Sequence, residues 1–257
     1  MELTRSEQSA LLDCMLEMGD LLLDSGAEIS RVEDTLSRVG LAYGAARMDV
    51  FVIPSIISIS MEFPGDDSLT ETRRIHSNGL NDFYRLEKLN TLSRSCCAEP
   101  LPVEELRAAL DRVAAGRKPF RIILGGSVLA AFSFAVFFGG NVWDGLAAAV
   151  FAVAVVMLQE YLGRTELNTV VFNLVVSLLI GLAVGLSAPL FPVLHMDKIL
   201  IGDIMLLIPG LAMTNAIRNI LVGNTISGVV RLAESLIWAA ALAGGFMVAL
   251  LIVGAPV

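Results

Sequence analysis

The sequence is poor in the residues that most often carry catalysis and metal binding. It has two histidines and three cysteines. Cys14, Cys96 and Cys97 form neither a CxxC nor a Cys/His metal spacing, and adjacent cysteines rarely bridge to each other. They read as reduced cytosolic thiols, not as a disulfide framework. No HExxH, GxSxG, P-loop or GxGxxG occurs. The expectation is a chain that is not an enzyme, with no cofactor and no metal site. Basic runs are missing too, and the net charge is −8, which argues against nucleic acid and against a generic anionic lipid surface as partners. The acidic start, MELTRSEQSALLDCMLEMGD, lacks a long apolar stretch and is not read as a signal peptide.

Charge itself is scarce. Only 17% of the residues are charged and 55% are hydrophobic, where a soluble chain carries about a quarter charged. The deficit is local. Residues 1–121 hold 14 of the 18 Lys and Arg and 20 of the 26 Asp and Glu, leaving 10 charges for the other 136 residues. Two chemically different parts follow: a cytosolic α+β domain over 1–118 and a membrane α-helical bundle over 119–257.

Five apolar segments are expected to span a bilayer: Ile122–Gly140, Gly145–Leu162, Thr169–Phe191, Ile199–Val222 and Val229–Val253. Each is near the ~20 residues that cross ~30 Å of hydrocarbon. The third carries Gly181-x-x-x-Gly185, a spacing that lets helices approach closely. Arg112, Arg117, Lys118 and Arg121 precede the first segment, Arg164 follows the second, and Arg218 and Arg231 flank the junction of the last two. The other side has Lys198 alone. The positive-inside rule then makes the N-terminus cytosolic and the C-terminus external. His195 falls in an external connector and reads as a solvated loop histidine, with a pH sensor as the alternative.

In the N-terminal part, Leu11, Leu12, Met15, Leu16, Leu22 and Leu23 recur at helical spacing up to Gly26, and Ile29, Val32, Leu36 and Val39 form a second stripe. RMDVFVIPSIISISMEF reads as strand, interrupted at Pro54-Ser55; PGDDS is a turn, and LTETRRI returns as a strand. Two helices close the domain, the second with Pro102 early and Glu104 and Glu105 in its first turn. Glu28, Arg31 and Glu33 sit at a helix start. They read either as a capping and salt-bridge cluster or as a gate or docking surface. His76 reads as a loop residue.

The fourth apolar segment places a helix breaker and polar groups together, in IMLLIPGLAMTNAIRNILVGNTISGVVRLAES. Pro209 lacks an amide donor and its ring clashes with the preceding turn; Gly210 adds freedom. Backbone groups freed in hydrocarbon cost several kcal/mol unless protein or a wet cavity satisfies them. Transporters use such broken helices to meet polar substrates, although a proline kink can also serve packing alone. The candidate substrate-binding residues are Asn173, Pro209, Gly210, Thr214, Asn215, Arg218 and Asn219, with Arg218 suited to a carboxylate. The candidate coupling or gating residues are Asp203, Asn224, Thr225, Arg231 and Glu234. Arg231 and Glu234, three residues apart, read equally as a structural ion pair.

SGAEISRVEDTLSRVGLAYG, IPSIISIS and LIPGLAMTNAIRNILVGNTISGVVRLAES together resemble the N-terminal module of the threonine/serine exporter family. The resemblance covers nearly the whole chain. It implies secondary export of a small polar substrate across a bacterial inner membrane, a cytosolic domain followed by five spans, and a second hydrophobic module, fused or separate. In length the chain is similar to a YjjP-type subunit, which pairs with a small YjjB-type membrane protein and is linked to succinate export. Threonine or serine is the expected substrate and a C4-dicarboxylate the alternative. A regulatory subunit without its own path is a further reading. Expected partners are the lipid bilayer, the YjjB-type subunit and the substrate; self-association into a homo-oligomer stays open.

Overall fold

The computed structural model describes residues 3–75, 82–116, 119–162 and 168–254. His76, Arg117, Lys118 and Arg164 lie outside these residues. The chain divides into two compact units. One comprises Met1–Arg117 with Leu211–Leu232, the other Lys118–Gly210 with Ala233–Val257.

The first unit is built on α1 (Arg5–Asp24), α2 (Ile29–Ala42), a sheet and two further helices. Thr4 and Glu7 form a reciprocal capping box at the start of α1. Its end is set by Gly26, at φ +86°, where the Ala27 amide donates to the Leu22 carbonyl at 2.9 Å, the wrap that satisfies orphan carbonyls at a helix end. Strands β1 (Arg47–Ile53), β2 (Ile56–Glu62) and β3 (Leu69–Arg74) pair antiparallel in sequence order. Pro54-Ser55 is the two-residue turn of the first hairpin, with Ile53 facing Ile56. The expected interruption is therefore a change of direction. Helices α3 (Phe83–Ala98) and α4 (Val103–Ala115) close the unit. Pro102 is the residue before α4 rather than within it, and Glu104 and Glu105 occupy the first turn.

The core holds Leu11, Leu12, Met15, Leu16, Val32, Leu36, Ile57, Ile59 and Leu106, all buried. Gly19 lets α1 lie against α2 and the sheet: a Cβ there would stand 2.7 Å from Ile57 Cδ1 and 3.0 Å from Leu36 Cδ1. Glu33 turns inward and its carboxylate accepts the Val52 amide on β1 at 3.1 Å. The sheet's other face carries hydroxyl rungs, Ser58 with Thr72 and Ser60 with Thr70.

The second unit contains α5 (Phe120–Phe137), α6 (Val142–Leu162), α7 (Thr169–Ser187) and α8 (Met196–Ile204). After a break come α9 (Gly210–Leu221) and α10 (Thr225–Val253). Four helices among the described residues are long and apolar enough to cross a membrane: Phe120–Phe137, Val142–Leu162, Thr169–Leu190 and Thr225–Val253. The segment expected as the fourth of five spans is instead two helices of 9 and 12 residues. Each is short of the ~20 residues that a crossing needs. Residues 211–221 fall within the first unit.

Small residues set the packing in the second unit. Ala131, Ala135, Ala148 and Ala152 are buried, and a Cβ on Gly202 of α8 would stand 2.7 Å from the Ala131 carbonyl. The Gly181-x-x-x-Gly185 spacing is used on α10: a Cβ at Gly181 would stand 2.6 Å from Ala249 Cβ, and one at Gly185 2.9 Å from Val253. Such contacts matter because lipid offers helices little hydrophobic drive to associate.

Candidate functional site

Three helices of the first unit present polar groups at one-face spacing. Glu28, Arg31 and Thr35 line up along the start of α2; Phe83, Leu86 and Asn90 along α3; Leu211 and Asn215 along α9. Together they line a cleft of about 270 Å³ within this unit. The junction beneath it is fixed. The Asp82 amide donates to the Ser25 carbonyl at 3.1 Å, and Arg85 pairs with Asp24 at 3.0 Å.

Glu28 occupies the N-cap position of α2, yet its side chain caps nothing. Its carboxylate pairs instead with Arg218 of α9. The Glu28 side chain is 19% exposed and that of Arg218 56%. Glu28 thus acts as a salt-bridge residue between α2 and α9 and not as a cap. Arg31 is exposed and makes no ion pair with any described residue.

Asn224 and Thr225 lie at a tight turn between α9 and α10. Gly223 sits there at φ +95°, a conformation that costs little only without a Cβ. Three residues past Thr225, a Cβ on Gly228 would stand 2.8 Å from the Ala216 carbonyl. GNTISG therefore builds a close helical hairpin. Asn219 is buried and Thr214 exposed on α9; Arg231 is half-buried on α10.

The second unit holds Asn173, Asp203, Pro209, Gly210 and Glu234. Asn173 and Ser177 are buried on α7, and Glu234 is exposed. Asp203 on α8 is fully buried, and neither carboxylate oxygen has a hydrogen-bond partner among the described residues. Around the break, the Leu206, Leu207 and Ile208 amides still bond to carbonyls three or four residues back, and the Gly210 amide closes on Ile208 at 2.8 Å around Pro209. The structure gathers Asn215 and Arg218 with Glu28 and Arg31; the other predicted site residues lie elsewhere.

Sequence reasoning passed over Thr35, Phe83, Asn90 and Asp144. Asp144 is completely buried at the start of α6. It accepts the Asn141 amide at 2.8 Å while Asn141 Oδ1 accepts the Trp143 and Asp144 amides. Asn141-x-x-Asp144 before an apolar run is a readable helix-start signature. His195 lies in the connector before α8 with its side chain exposed, and it has a partner as well: its amide donates to Asp144 at 2.7 Å and its Nδ1 lies 3.0 Å from the same carboxylate. Among the described residues no group of three or more His, Cys, Asp or Glu could hold a metal ion.

A bundle with several long apolar helices, polar groups buried among them and a small α/β unit ahead of it, is the build of a multi-pass membrane protein. Residues 13–253 match the family described as "Putative threonine/serine exporter". The chain belongs to this threonine/serine exporter family, a family of transporters. It is also 23% identical over 248 residues to the threonine/serine exporter of Corynebacterium glutamicum, covering 93% of this chain and 50% of that protein. The chain thus spans half the length of that relative. No solved structure matches.

Proposed function

We propose that this chain is the substrate-contacting subunit of a bacterial inner-membrane secondary exporter, moving threonine or serine outward together with a second, small membrane subunit. The observation that carries the reading is the family match across nearly the whole chain, joined to a polar, broken segment where an unbroken apolar helix would cross more cheaply. In this reading the broken segment of α8 and α9 counts as the fourth of five crossings, the N-terminus is cytosolic and the C-terminus external. Asn215 of α9 meets the polar substrate. Arg218, held by Glu28 at rest, is released when substrate arrives. Pro209 and Gly210 keep the two half-helices apart. Asp203 or Glu234 carries the coupling proton, while Asn224, Thr225 and Arg231 set the hairpin that moves.

The test is efflux from cells preloaded with labelled threonine, serine or succinate, with this chain expressed alone and beside its small membrane partner. Partner-dependent loss of threonine or serine is expected. Loss of succinate alone would transfer the reading to dicarboxylates. No efflux of any of the three, with both proteins inserted, would leave the regulatory role. Asn215→Ala should abolish efflux while the protein still inserts; unchanged efflux would remove Asn215 from the site.

A further inference from the structure

We infer that the cleft of the first unit is a recognition site for a zwitterionic α-amino acid, with Arg31 taking the carboxylate and Glu28 the ammonium group. At about 270 Å³ the cleft lies below the ~300 Å³ at which pockets for drug-sized ligands begin. A cleft of this size suits a metabolite of a few heavy atoms.

Charge narrows the class further. Glu28 and Arg31 both line the cleft, three residues apart on one face of α2. Arg218 pairs with the Glu28 carboxylate, so the three charges sum to +1. Arg31 has no described partner of its own. A guanidinium recognises a carboxylate with two parallel hydrogen bonds. A dicarboxylate would bring its second carboxylate towards Glu28, and like charges at such range repel. A polyamine would meet the same obstacle at Arg31. An inorganic or organic phosphate would meet the Glu28 carboxylate beside Arg31, the guanidinium among the described lining residues. The species that complements both groups at once carries one positive and one negative charge a few ångströms apart.

The remaining lining agrees. Thr35, Asn90 and Asn215 offer uncharged donors and acceptors for a side-chain hydroxyl, and Phe83 gives an apolar wall for a methyl group. Asn215 connects this cleft with the exporter reading, since it lies on α9 one turn before Arg218. A substrate ammonium arriving at Glu28 competes directly with the Glu28–Arg218 pair. The inference rests on the exporter reading for the choice of threonine as probe, and on the cleft alone for the chemistry.

The experiment is equilibrium dialysis of labelled threonine against the purified full chain in lipid nanodiscs. Unlabelled serine should compete; N-acetylthreonine, threonine amide and succinate, each lacking one of the two charges or doubling the other, should compete at least tenfold less well. Arg31→Ala and the milder Arg31→Gln should each weaken binding tenfold or more, with Arg47→Ala, an exposed change on β1, as the unaffected control. Binding that ignores both Arg31 variants, succinate competing as well as serine, or no threonine binding at all would overturn the inference. Efflux is followed in parallel. Export of threonine with Arg31-independent binding overturns the cleft and leaves the exporter standing. Arg31-dependent binding without export does the reverse.

Discussion

Asp144 has no exposed surface, and three nitrogens converge on its carboxylate: the amides of Asn141 and His195 and the His195 ring. Truncating it would orphan two backbone donors, each costing about 1–3 kcal/mol where water cannot replace the partner. Asp144→Ala should therefore lower the apparent melting temperature of the purified protein in detergent, and Asp144→Asn should lower it less. Glu33 offers a pH test. Burial raises its carboxyl above the usual value of 4.5, against the lowering effect of the Val52 amide. The folded chain then holds that proton more tightly than the unfolded chain does. Stability contributed at this site is full below pH 4.5 and falls as pH rises through the raised value. Glu33→Gln keeps an acceptor for Val52 without the charge. It should flatten that part of the melting-temperature profile between pH 4 and pH 8. The thiols differ as well. Cys14 and Cys96 are buried and Cys97 is exposed, and burial raises all three thiols above their ordinary value of 9.0. At pH 7 a maleimide should add once to the native protein, at Cys97, and three times after SDS, as read by mass spectrometry.

Among the elements, α10 supplies a matched pair. A Cβ at Gly245 would stand 2.5 Å from the Leu174 carbonyl and 3.0 Å from the Leu178 amide, whereas one at Gly244 would meet nothing within 4 Å. Gly245→Ala must push α7 and α10 apart, at about 1–3 kcal/mol for overpacking. Gly244→Ala should be neutral or slightly favourable, because alanine is the better helix former. Thermal unfolding in detergent separates the two. The elements of the first unit were readable because local chemistry dictates them: a capping box at Thr4 and Glu7, glycine stops at Gly26 and Gly44, and a Pro-Ser turn between β-branched runs. The fourth apolar segment was readable only as a break. Hydropathy joins residues 199–222 into one run, while α9 carries Asn215 and Arg218 at helical spacing and falls with the first unit.

At the scale of the whole chain, the candidate cleft was legible in halves. Glu28 with Arg31 and Asn215 with Arg218 each stand out as a local polar cluster. Nothing in one-dimensional spacing ties Glu28 to Arg218, 190 residues apart. Only the folded chain does so, and Thr35, Phe83 and Asn90 are ordinary surface residues until it does. The pairing predicts compensation. Glu28→Arg and Arg218→Glu should each impair efflux and lower thermal stability. The double reversal should recover stability, with a coupling of about 0.5–3 kcal/mol in a double-mutant cycle. Additive losses would show that the pair is incidental.

The bonds from His195 and Asn141 to Asp144 also fix a parity. They hold the connector after α5 and the connector before α8 side by side, so both lie on one face of the bilayer. The chain between residues 141 and 195 must then traverse the membrane an even number of times, which α6 and α7 supply as an out-and-back pair. A single impermeant reporter at either connector reads the sidedness of both.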